Sequence, residues 1–458
     1  MGRDLLAGLD VGTTSVKALL LTVDGAEVAL GRVTTPWRTT ASGAETTAES
    51  ILEAARTALA HALAQVPDDR VTALGVASMA EAGVLVGADD SPLVPVIAWH
   101  DHRDEAELQD LVSHVGAETF SVRTGLPVWT QWSLTKHRWL VDHLPAARRA
   151  TRRYNIAEWV ARGFGADPVT ELSLASRTGW LDLSTQRPWS DSMAWSGAPE
   201  RLLGDLVVAG TPIGTARTRS ELSAMDGATL TIAGHDHQAA AVGVGSSGAG
   251  DELDSCGTAE AFVRTVAPHL PAEAIATLTD AGVTVGWHVI RDRWCLLGAT
   301  QGGLILGRVQ AALGVDRSGL AALDAAALEA SDQPYVLGLT GDADVTIAAG
   351  ADPGQVWRAA TRAVTVQAQE LGDVLDRASG PRRHLVVAGG WTHSTALMAA
   401  KAHAFGPLTS ATTKEAGARG AALLAGLAAG TYSSYADLPG AGTTLDASDH
   451  ATVTNRPS

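Results

Sequence analysis

The stretch at residues 8–17, reading Gly-Leu-Asp-Val-Gly-Thr-Thr-Ser-Val-Lys, places the tightest constraint on how this chain can fold. The apolar residues 5–9 indicate a buried strand, and residues 15–23, rich in apolar and β-branched side chains, indicate a second one. An Asp-Gly pair, which is a strong hairpin signal, then separates this strand from a third at residues 27–33. A turn between two strands excludes the Walker-type and dinucleotide-binding loops, because both join a strand to a helix.

The side chains of this first turn suit phosphate oxygens. Asp10 follows where the first strand should end, Gly12 lets a ligand approach the backbone, and Thr13 and Thr14 offer hydroxyl and amide donors at consecutive positions. An ordinary hairpin is the alternative interpretation of the turn alone. Within a strand-turn-strand order, the motif resembles the ATP-binding folds of actin, hexokinase and Hsp70.

Composition bounds the class of protein. A length of 458 residues with 46% hydrophobic residues predicts two or three domains with sizeable cores. The chain lacks an apolar run of roughly 18 to 20 residues and a signal-peptide pattern, so we expect a cytoplasmic protein without a membrane partner. The net charge of −16 argues against nucleic acid as a partner. Cys256 and Cys295, the two cysteines, lack metal-ligand spacing.

Acid and aromatic groups gather after the strand predicted at residues 71–77. Glu81 could accept hydrogen bonds from a polyol, and Asp101 and Arg103 could pair to brace that pocket; a surface acid and a surface ion pair are the alternatives. Before this strand, residues 51–66 trace an apolar helix face, and Thr46 and Glu49 are spaced as its capping box. After it, residues 126–140 contain Gln131 and three tryptophans. Indole rings often stack on sugars, although each tryptophan alone is more typical of a core.

A second functional candidate follows the β-branched strand predicted at residues 229–233. Gly234-His235-Asp236-His237 caps this strand before a helix of small residues. A carboxylate at the end of a buried strand, beside a helix N-terminus, is positioned for general-base chemistry.

The opening theme then repeats, as though a duplicated domain begins near residue 245. Residues 252–255 and 261–266 are predicted strands, and Gly257-Thr258 forms a second glycine-threonine turn between them. Gly302 opens a helix, and a third glycine turn follows the strand predicted at residues 384–388. Two phosphate-type turns and a third glycine turn would enclose one nucleotide.

These motifs, in this order, resemble the FGGY carbohydrate kinases, a family that includes glycerol kinase, xylulokinase, fuculokinase and gluconokinase. The resemblance covers nearly the whole chain, from Gly8 to about Gly426. Its segments are residues 10–17, 78–81, 99–103, 173–178, 234–237, 257–258 and 388–394. The substrate motif Met79-Ala80-Glu81 matches neither the xylulokinase nor the glycerol kinase pattern, Glu171 stands where the mid-domain motif usually has Asp, and Trp391 replaces a small residue.

The resemblance implies an α/β fold with two actin-like ATPase (ribonuclease H-like) domains facing each other across a catalytic cleft. The expected limits are residues 1–244 for the sugar-binding domain, 245–440 for the nucleotide-binding domain and 441–458 for a tail. Asp236 would be the catalytic base and Asp10 would act near Mg²⁺. The nucleotide would contact Gly12, Thr13, Thr14, Lys17, Gly257, Thr258, Gly302, Gly389, Gly390, Trp391 and Ser394. The sugar would contact Met79, Glu81, Trp99, Asp101, Gln131 and His237.

The implied activity is transfer of the γ-phosphate of ATP, with Mg²⁺, to a hydroxyl of a sugar, by a phosphotransferase with an alcohol group as acceptor. Xylulose or a similar ketopentose is the first expectation for the acceptor, and a homodimer is possible. A fuculokinase-like enzyme or a gluconate or polyol kinase is the alternative within the class. From other classes, the alternatives are an inactive ATP-binding sugar sensor and a regulator or chaperone-like member of the actin and Hsp70 superfamily.

Overall fold

The strands predicted at the N-terminus form a hairpin extended by a third strand in the computed structural model, which describes residues 2–340, 344–440 and 442–445. Strand β1 (Asp4–Val11) pairs antiparallel with β2 (Ser15–Thr22), which pairs antiparallel with β3 (Glu27–Thr34). Seven of the eight residues of β1 and five of the eight residues of β2 are buried, because apolar side chains occupy both faces of these strands.

Two further strands complete the first sheet, in the order β5-β4-β1-β2-β3. Strands β4 (Arg70–Ser78) and β5 (Thr229–His235) run parallel to β1. In this register Ser78 lies between Val11 of β1 and His235 of β5. The residues that follow β1, β4 and β5 therefore emerge at one edge of the sheet.

Helices cover both faces of this sheet. Leu5 and Leu9 of β1 pack with Leu59 of α1 (Ala48–Leu63). Leu6, which points to the opposite face, packs with a helix formed by Ala416–Ala428, here called the closing helix. The alternation follows from the two-residue period of a strand.

The predicted capping box of α1 is wrong by one residue. Thr47 is the N-cap, and its hydroxyl accepts from the amide of Ser50 at 3.1 Å. Thr46 instead belongs to the strand Gly43–Thr46, where it pairs with Val96 and donates its hydroxyl to the carbonyl of Pro36. Strand pairing removes Thr46 from the cap position.

A second cluster of buried side chains lies among the helices Glu105–Val115, Ala117–Thr124, Ser133–His143 and Ser190–Ser196. Trp132 and Trp180 are completely buried in it.

The predicted hairpin at residues 83–99 turns as expected, since the amide of Gly87 donates to the carbonyl of Ser91. Its first arm, Gly83–Val86, pairs chiefly with Arg152–Asn155, however, while Val96–Ile97 pairs with Gly43–Thr46.

The contacts of the chain define two compact units. The first comprises Met1–Ser247, Ala267–Cys295 and Glu415–Gly440, and the second comprises Gly248–Val266, Leu296–Lys414 and Ala441–Ser458. Residues 267–295 and 415–440 thus group with the first unit, whereas the predicted limits assigned them to the second domain. The domain limits stay a prediction. The predicted tail at 441–458 lies outside the described residues apart from 442–445.

The sheet of the second unit repeats the strand order of the first. Five of its strands are β6 (Asp251–Cys256), β7 (Glu260–Val266), β8 (Trp294–Thr300), β9 (His384–Ala388) and β10 (Leu408–Ala411). They lie in the order β8-β7-β6-β9-β10, with β6 antiparallel to β7 and parallel to β9. Gly442–Leu445 pairs antiparallel with β10.

Four helices accompany this second sheet: α3 (Gly302–Ala312), α4 (Leu320–Glu329), α5 (Pro353–Ser379) and α6 (Thr395–Phe405). Their shared core contains Val309, Leu323, Trp357 and Leu397, all buried. Among the described residues, no helix combines the length and apolar character that crossing a bilayer requires.

Glycine allows the closing helix to approach the first unit closely. A Cβ on Gly8 of β1 would overlap the carbonyl oxygen of Ala418. A Cβ on Gly420 would overlap the carbonyl oxygen of Ala239, which lies in the helix α2 (Asp236–Gly243). The closing helix is therefore fitted to β1 and α2 with no room for another methyl group.

Gly420→Ala should destabilise the protein, because the added methyl group would meet the Ala239 carbonyl. At an unhindered helix position the same change stabilises by about 1 kcal/mol. We expect a loss of roughly 1 to 3 kcal/mol in the free energy of unfolding, measured by urea denaturation.

Gly372→Ala is the matched control, since it lies inside α5 and its Cβ would make ordinary contacts of 3.7 Å with Arg382 and 3.8 Å with Phe405. It should stabilise the protein. A free energy of unfolding for Gly420→Ala at or above the wild-type value would contradict the close-packing argument.

Candidate active site

Three acids gather at the edge of the first sheet where β1, β4 and β5 end. Asp10 is the penultimate residue of β1, Glu81 follows β4, and Asp236 is the first residue of α2, directly after β5. The charge of Asp236 acts on the pKa of both Asp10 and Glu81. Sequence motifs far apart in the chain thus meet in one acidic site.

Asp10 is buried and belongs to a chain of charges. Its Oδ2 lies 3.4 Å from Lys17 Nζ, which lies 3.2 Å from Glu415 Oε2, and Glu415 also pairs with Arg32. Asp10 Oδ1 has no hydrogen-bond partner among the described residues. Burial raises the pKa of Asp10 to about 6, against the effect of Lys17 and with a contribution from Asp236.

Asp236 lies between two histidines. Its Oδ1 accepts from the amide of His237 at 2.7 Å and lies 3.3 Å from His235 Nε2. Burial acts to raise the pKa of Asp236, but His237, His235 and the amide outweigh it, so the pKa falls below its ordinary value. Burial also holds the pKa of His235 well below its usual range. At neutral pH Asp236 is an ionised carboxylate beside a neutral imidazole.

Glu81 is held in an unusual conformation by a network of donors. Its φ is +66°, a left-handed value that a non-glycine residue adopts only under constraint. Arg177 Nε donates to Glu81 Oε1 at 2.7 Å, and Gln131 Nε2 lies 3.3 Å from the same oxygen. The carbonyl of Glu81 accepts from Ser133 and Arg153, both at 2.7 Å. Burial raises the pKa of Glu81, while the Arg177 guanidinium opposes the rise.

The turn after β1 is fixed by two indoles. Trp99 Nε1 donates to the Thr13 hydroxyl at 2.8 Å, and Trp37 Nε1 donates to the Thr13 carbonyl at 2.9 Å. Thr35 donates its hydroxyl to the carbonyl of Gly12 at 2.7 Å, while Thr14 is exposed. The turn predicted to bind phosphate is therefore rigid, and Trp99 connects it to the predicted substrate motif.

Two residues predicted to contact sugar have other partners. Asp101 is buried, and its carboxylate accepts from Arg103 Nε at 2.9 Å and from the amide of Ala44 at 2.5 Å. Met79 is 3% exposed and packs in the core of the first unit. Asp101 and Arg103 thus pair as the sequence predicted, and Met79 belongs to the core of the first unit. His237 and Gln131 are half-buried.

The mid-domain segment supports the turn at Asp236. Glu171 Oε2 accepts from the Ser173 hydroxyl at 2.6 Å, and Ser173 Oγ accepts from the amide of His235 at 3.1 Å. Burial raises the pKa of Glu171, which is fully buried, to about 7. A Cβ on Gly234 would lie 2.5 Å from Ser173 Oγ, so the segment packs directly on the turn.

In the second unit, the turn after β6 packs on the start of α3. Thr258 is exposed between β6 and β7. Gly302, the first residue of α3, donates its amide to Thr300 Oγ1 at 3.2 Å. A Cβ on Gly303 would overlap the Gly257 carbonyl oxygen. The Gly257-Thr258 turn and a helix N-terminus, whose free amides attract anions, are thus brought together.

The turn after β9 exposes Gly389 and Gly390. Gly389 has a φ of +105°. Trp391 is half-buried, packs against the helical core of the second unit and lies 6.0 Å from the ring of Trp357. Ser394 is completely buried; its hydroxyl caps α6 and donates to Asp324 at 2.7 Å. Trp391 is therefore partly exposed, whereas the buried Ser394 hydroxyl is fully used within the protein.

Two charged residues of the first site were not identified as candidates from sequence. Arg177 lies inside the mid-domain motif at residues 173–178, so the motif contained the signal, but nothing local pairs it with Glu81. Glu415 contacts Lys17 across almost the full length of the chain. Its only sequence signal is its place directly before the closing helix.

Comparison with known proteins supports the resemblance. The model of the FGGY family of carbohydrate kinases, N-terminal domain, matches residues 5–243. A glycerol kinase from Saccharopolyspora erythraea is 28% identical over 466 aligned positions, covering 94% of this chain and 92% of that protein. A xylulose kinase from Streptomyces rubiginosus is 29% identical over 324 positions, covering 68% of this chain and 64% of that protein.

The fold is also shared with solved structures. The xylulose kinase from Rhodospirillum rubrum matches with a TM-score of 0.85 at 23% identity, covering 96% of this chain and 93% of that one. The predicted α/β fold of two actin-like domains is confirmed. The chain therefore belongs to the FGGY family of carbohydrate kinases, which are phosphotransferases with an alcohol group as acceptor.

Proposed function

We propose that this protein transfers the γ-phosphate of ATP to a hydroxyl of a neutral sugar or polyol, with a ketopentose such as xylulose as the first candidate. The observation that carries the proposal is the ionised Asp236 at the start of α2, electrostatically coupled to Glu81, whose side chain is held by Arg177 and Gln131. A base and a set of hydrogen-bonding groups for a hydroxylated acceptor thus occur together.

In the proposed reaction Asp236 takes the proton from the attacking hydroxyl. Its lowered pKa keeps it ionised at neutral pH, so it is ready to accept that proton. Lys17 offers positive charge beside Asp10 for oxygens of the transferred group. Phosphoryl transfer asks a protein mainly for positioning and charge stabilisation, and these residues supply both.

Asp10 is the residue that we propose to hold Mg²⁺. Its Oδ1 is buried without a partner among the described residues, and carboxylate oxygens are the ligands that Mg²⁺ prefers. When bound, Mg²⁺ would neutralise charge on the phosphates. The raised pKa of Asp10 also fits a carboxylate placed where a cation is expected.

The turns of the second unit are proposed to hold the nucleotide. Gly257, Thr258 and Gly302 would line the phosphate site, where the glycines allow close approach to the backbone and the exposed Thr258 offers a hydroxyl. The exposed part of Trp391, beside the Gly389-Gly390 turn, would contact adenine, while its buried part packs in the helical core. The presence of both candidate acids, Asp10 and Asp236, disfavours an inactive sensor.

Charge favours a neutral acceptor over gluconate. Around the acceptor groups, Glu81, Asp10 and Asp236 are acidic, and the guanidinium of Arg177 is already engaged by Glu81 and by the Thr284 hydroxyl at 2.7 Å. A carboxylate substrate would meet repulsion there.

Glycerol is the second candidate, favoured by a glycerol kinase relative whose alignment covers 94% of this chain. The cytoplasmic location and the homodimer stay predictions.

Asp236→Asn should lose most turnover while retaining sugar and nucleotide binding, because an amide cannot accept the hydroxyl proton. General-base contributions run to roughly 10² to 10⁴-fold in kcat. A coupled ADP-release assay measures turnover, and calorimetric titration measures binding. Asp191→Asn, at the start of the helix Ser190–Ser196, is the control and should keep wild-type turnover. Unchanged turnover in Asp236→Asn would remove its assignment as the base.

Glu81→Gln should change which acceptors are preferred without changing the KM for ATP. The amide keeps the size of the side chain but both donates and accepts, and it leaves Arg177 without its charged partner. The measurement is kcat/KM across a panel of ketoses, polyols and aldonates, with the exposed Glu118→Gln as control. The same acceptor ranking as wild type would limit Glu81 to a structural role.

Glu171→Gln should stabilise the protein only at higher pH. Because burial raises the pKa of Glu171 to about 7, the folded state binds a proton more readily than the unfolded state between about pH 4.5 and 7. Wild-type stability therefore falls as the pH rises through this window. The variant lacks this titration, so its Tm should match wild type near pH 4 and exceed it near pH 8.

Scanning calorimetry from pH 4 to 8 tests this expectation, with the exposed Glu118→Gln giving the baseline for a surface acid. A difference in Tm between Glu171→Gln and wild type that does not change with pH would show that Glu171 is not protonated in the folded state within this window.

A further inference from the structure

A completely buried lysine joins two carboxylates in the second unit. Lys401 Nζ, on α6, donates to Asp254 Oδ2 of β6 at 2.5 Å and to Glu260 of β7. Lys401 and Asp254 have no exposed side-chain surface, and Glu260 has 4%. The proposed reaction uses none of these three groups. A cluster this costly to bury requires an explanation.

The cluster lies directly beneath the turn proposed to bind phosphate. Asp254 lies three residues before Gly257. Glu260 lies two residues after Thr258 and pairs with Cys256 across the hairpin. Glu260 Oε2 accepts from the Thr300 hydroxyl at 2.5 Å, and Thr300 Oγ1 accepts from the Gly302 amide at 3.2 Å. Glu260, which directly follows the turn, therefore connects it through Thr300 to the N-terminus of α3.

Lys401 also connects the third glycine turn to this network. The helix α6 follows the Gly389-Gly390 turn and is capped by Ser394. Lys401 lies seven residues after this cap, about two helical turns further along the same face of α6. One ammonium group thus fixes α6 to the two strands that flank the Gly257-Thr258 turn.

The cation in this cluster is the lysine. Asp254, Cys256 and Glu260 lie close enough together to suggest metal ligands, but the Lys401 ammonium already pairs with both carboxylates. Burial raises the pKa of Asp254 to about 7 in spite of Lys401, so the group is held at a cost. Well-packed apolar residues often stabilise a core as well as buried ions do, so stability alone does not account for this cluster.

We propose that Lys401 is a positioning residue for the nucleotide phosphates, holding the Gly257-Thr258 turn and the start of α3 in one binding geometry. The proposal rests on the proposed function, in which these segments contact ATP. The turn cannot move toward α3, because Gly303 of α3 packs directly on the Gly257 carbonyl. A shift of β6 or β7 would therefore move the segments that are expected to face phosphate.

Two variants test the proposal. Lys401→Met removes the ammonium, and the nearly isosteric Thr300→Val removes the hydroxyl that donates to Glu260 and accepts from the amide of Gly302. Each should raise the KM for ATP and the Kd for ADP, measured by titration calorimetry, by about tenfold, with the KM for the acceptor unchanged. Because Lys401→Met leaves two buried acids unpaired, Thr300→Val provides the test if Lys401→Met does not fold.

Arg264→Met is the matched control for a lost buried ion pair. Arg264 is 1% exposed and pairs with Glu252 at 2.6 Å on the same two strands, but at their far end from the turn. It should lower Tm and leave the KM for ATP unchanged.

Three outcomes overturn the proposal or its basis. An unchanged KM for ATP and Kd for ADP in Thr300→Val and in any folded Lys401→Met would overturn the positioning role and leave the proposed function standing. An equal rise in the KM for ATP in Arg264→Met would show that the loss of any buried ion pair on these strands raises this KM. That result would also overturn the positioning role of Lys401. A wild-type protein that binds ADP but phosphorylates no acceptor of the panel would refute the proposed function, while the Kd comparison would still test Lys401.

Discussion

The close fit of the closing helix onto the first sheet is the contact on which the candidate active site depends. It forms only because Gly8 and Gly420 lack side chains where the helix meets β1 and α2. The same fit brings Glu415 to Lys17, and it brings Gly417 so near Asp10 that a Cβ there would lie 2.8 Å from Asp10 Oδ2. Residues from the C-terminal part of the chain thus complete an acidic site that begins at residue 10.

The electrostatics of this site follow from unequal surroundings of similar acids. Asp236 has two histidines and an amide beside it, which hold its pKa low. Asp10 has Lys17 but is more deeply buried, and its pKa rises to about 6. Environments that separate the pKa values of neighbouring acids are typical of sites where such acids have different roles. This separation supports the roles that we propose, with Asp236 as the base and Asp10 as the residue that holds Mg²⁺.

Sequence predicted what is local and missed what depends on distant partners. The turn at residue 12, the strand before Asp236 and the glycine turns follow from patterns within a few residues, and each is present. The Thr46 cap was wrong because its partner, Val96, lies 50 positions away. Arg177 was missed for the same reason, since its pairing with Glu81 is set by tertiary packing and no spacing rule encodes it.

The two glycine-threonine turns allow the acids that precede them to be compared. Asp10 near the end of β1 and Asp254 near the end of β6 each precede a glycine-threonine turn, and each pairs with a lysine. Lys17 leaves one oxygen of Asp10 without a partner among the described residues, whereas Lys401 and Cys256 occupy both oxygens of Asp254. Asp10 lies two residues before Gly12, but Asp254 lies three residues before Gly257, so the two acids are offset by one strand position and their side chains lie on opposite faces of the repeated sheet. This offset agrees with the different origin of the two lysines, because Lys17 comes from the adjacent strand β2 in the first unit and Lys401 comes from the helix α6 in the second.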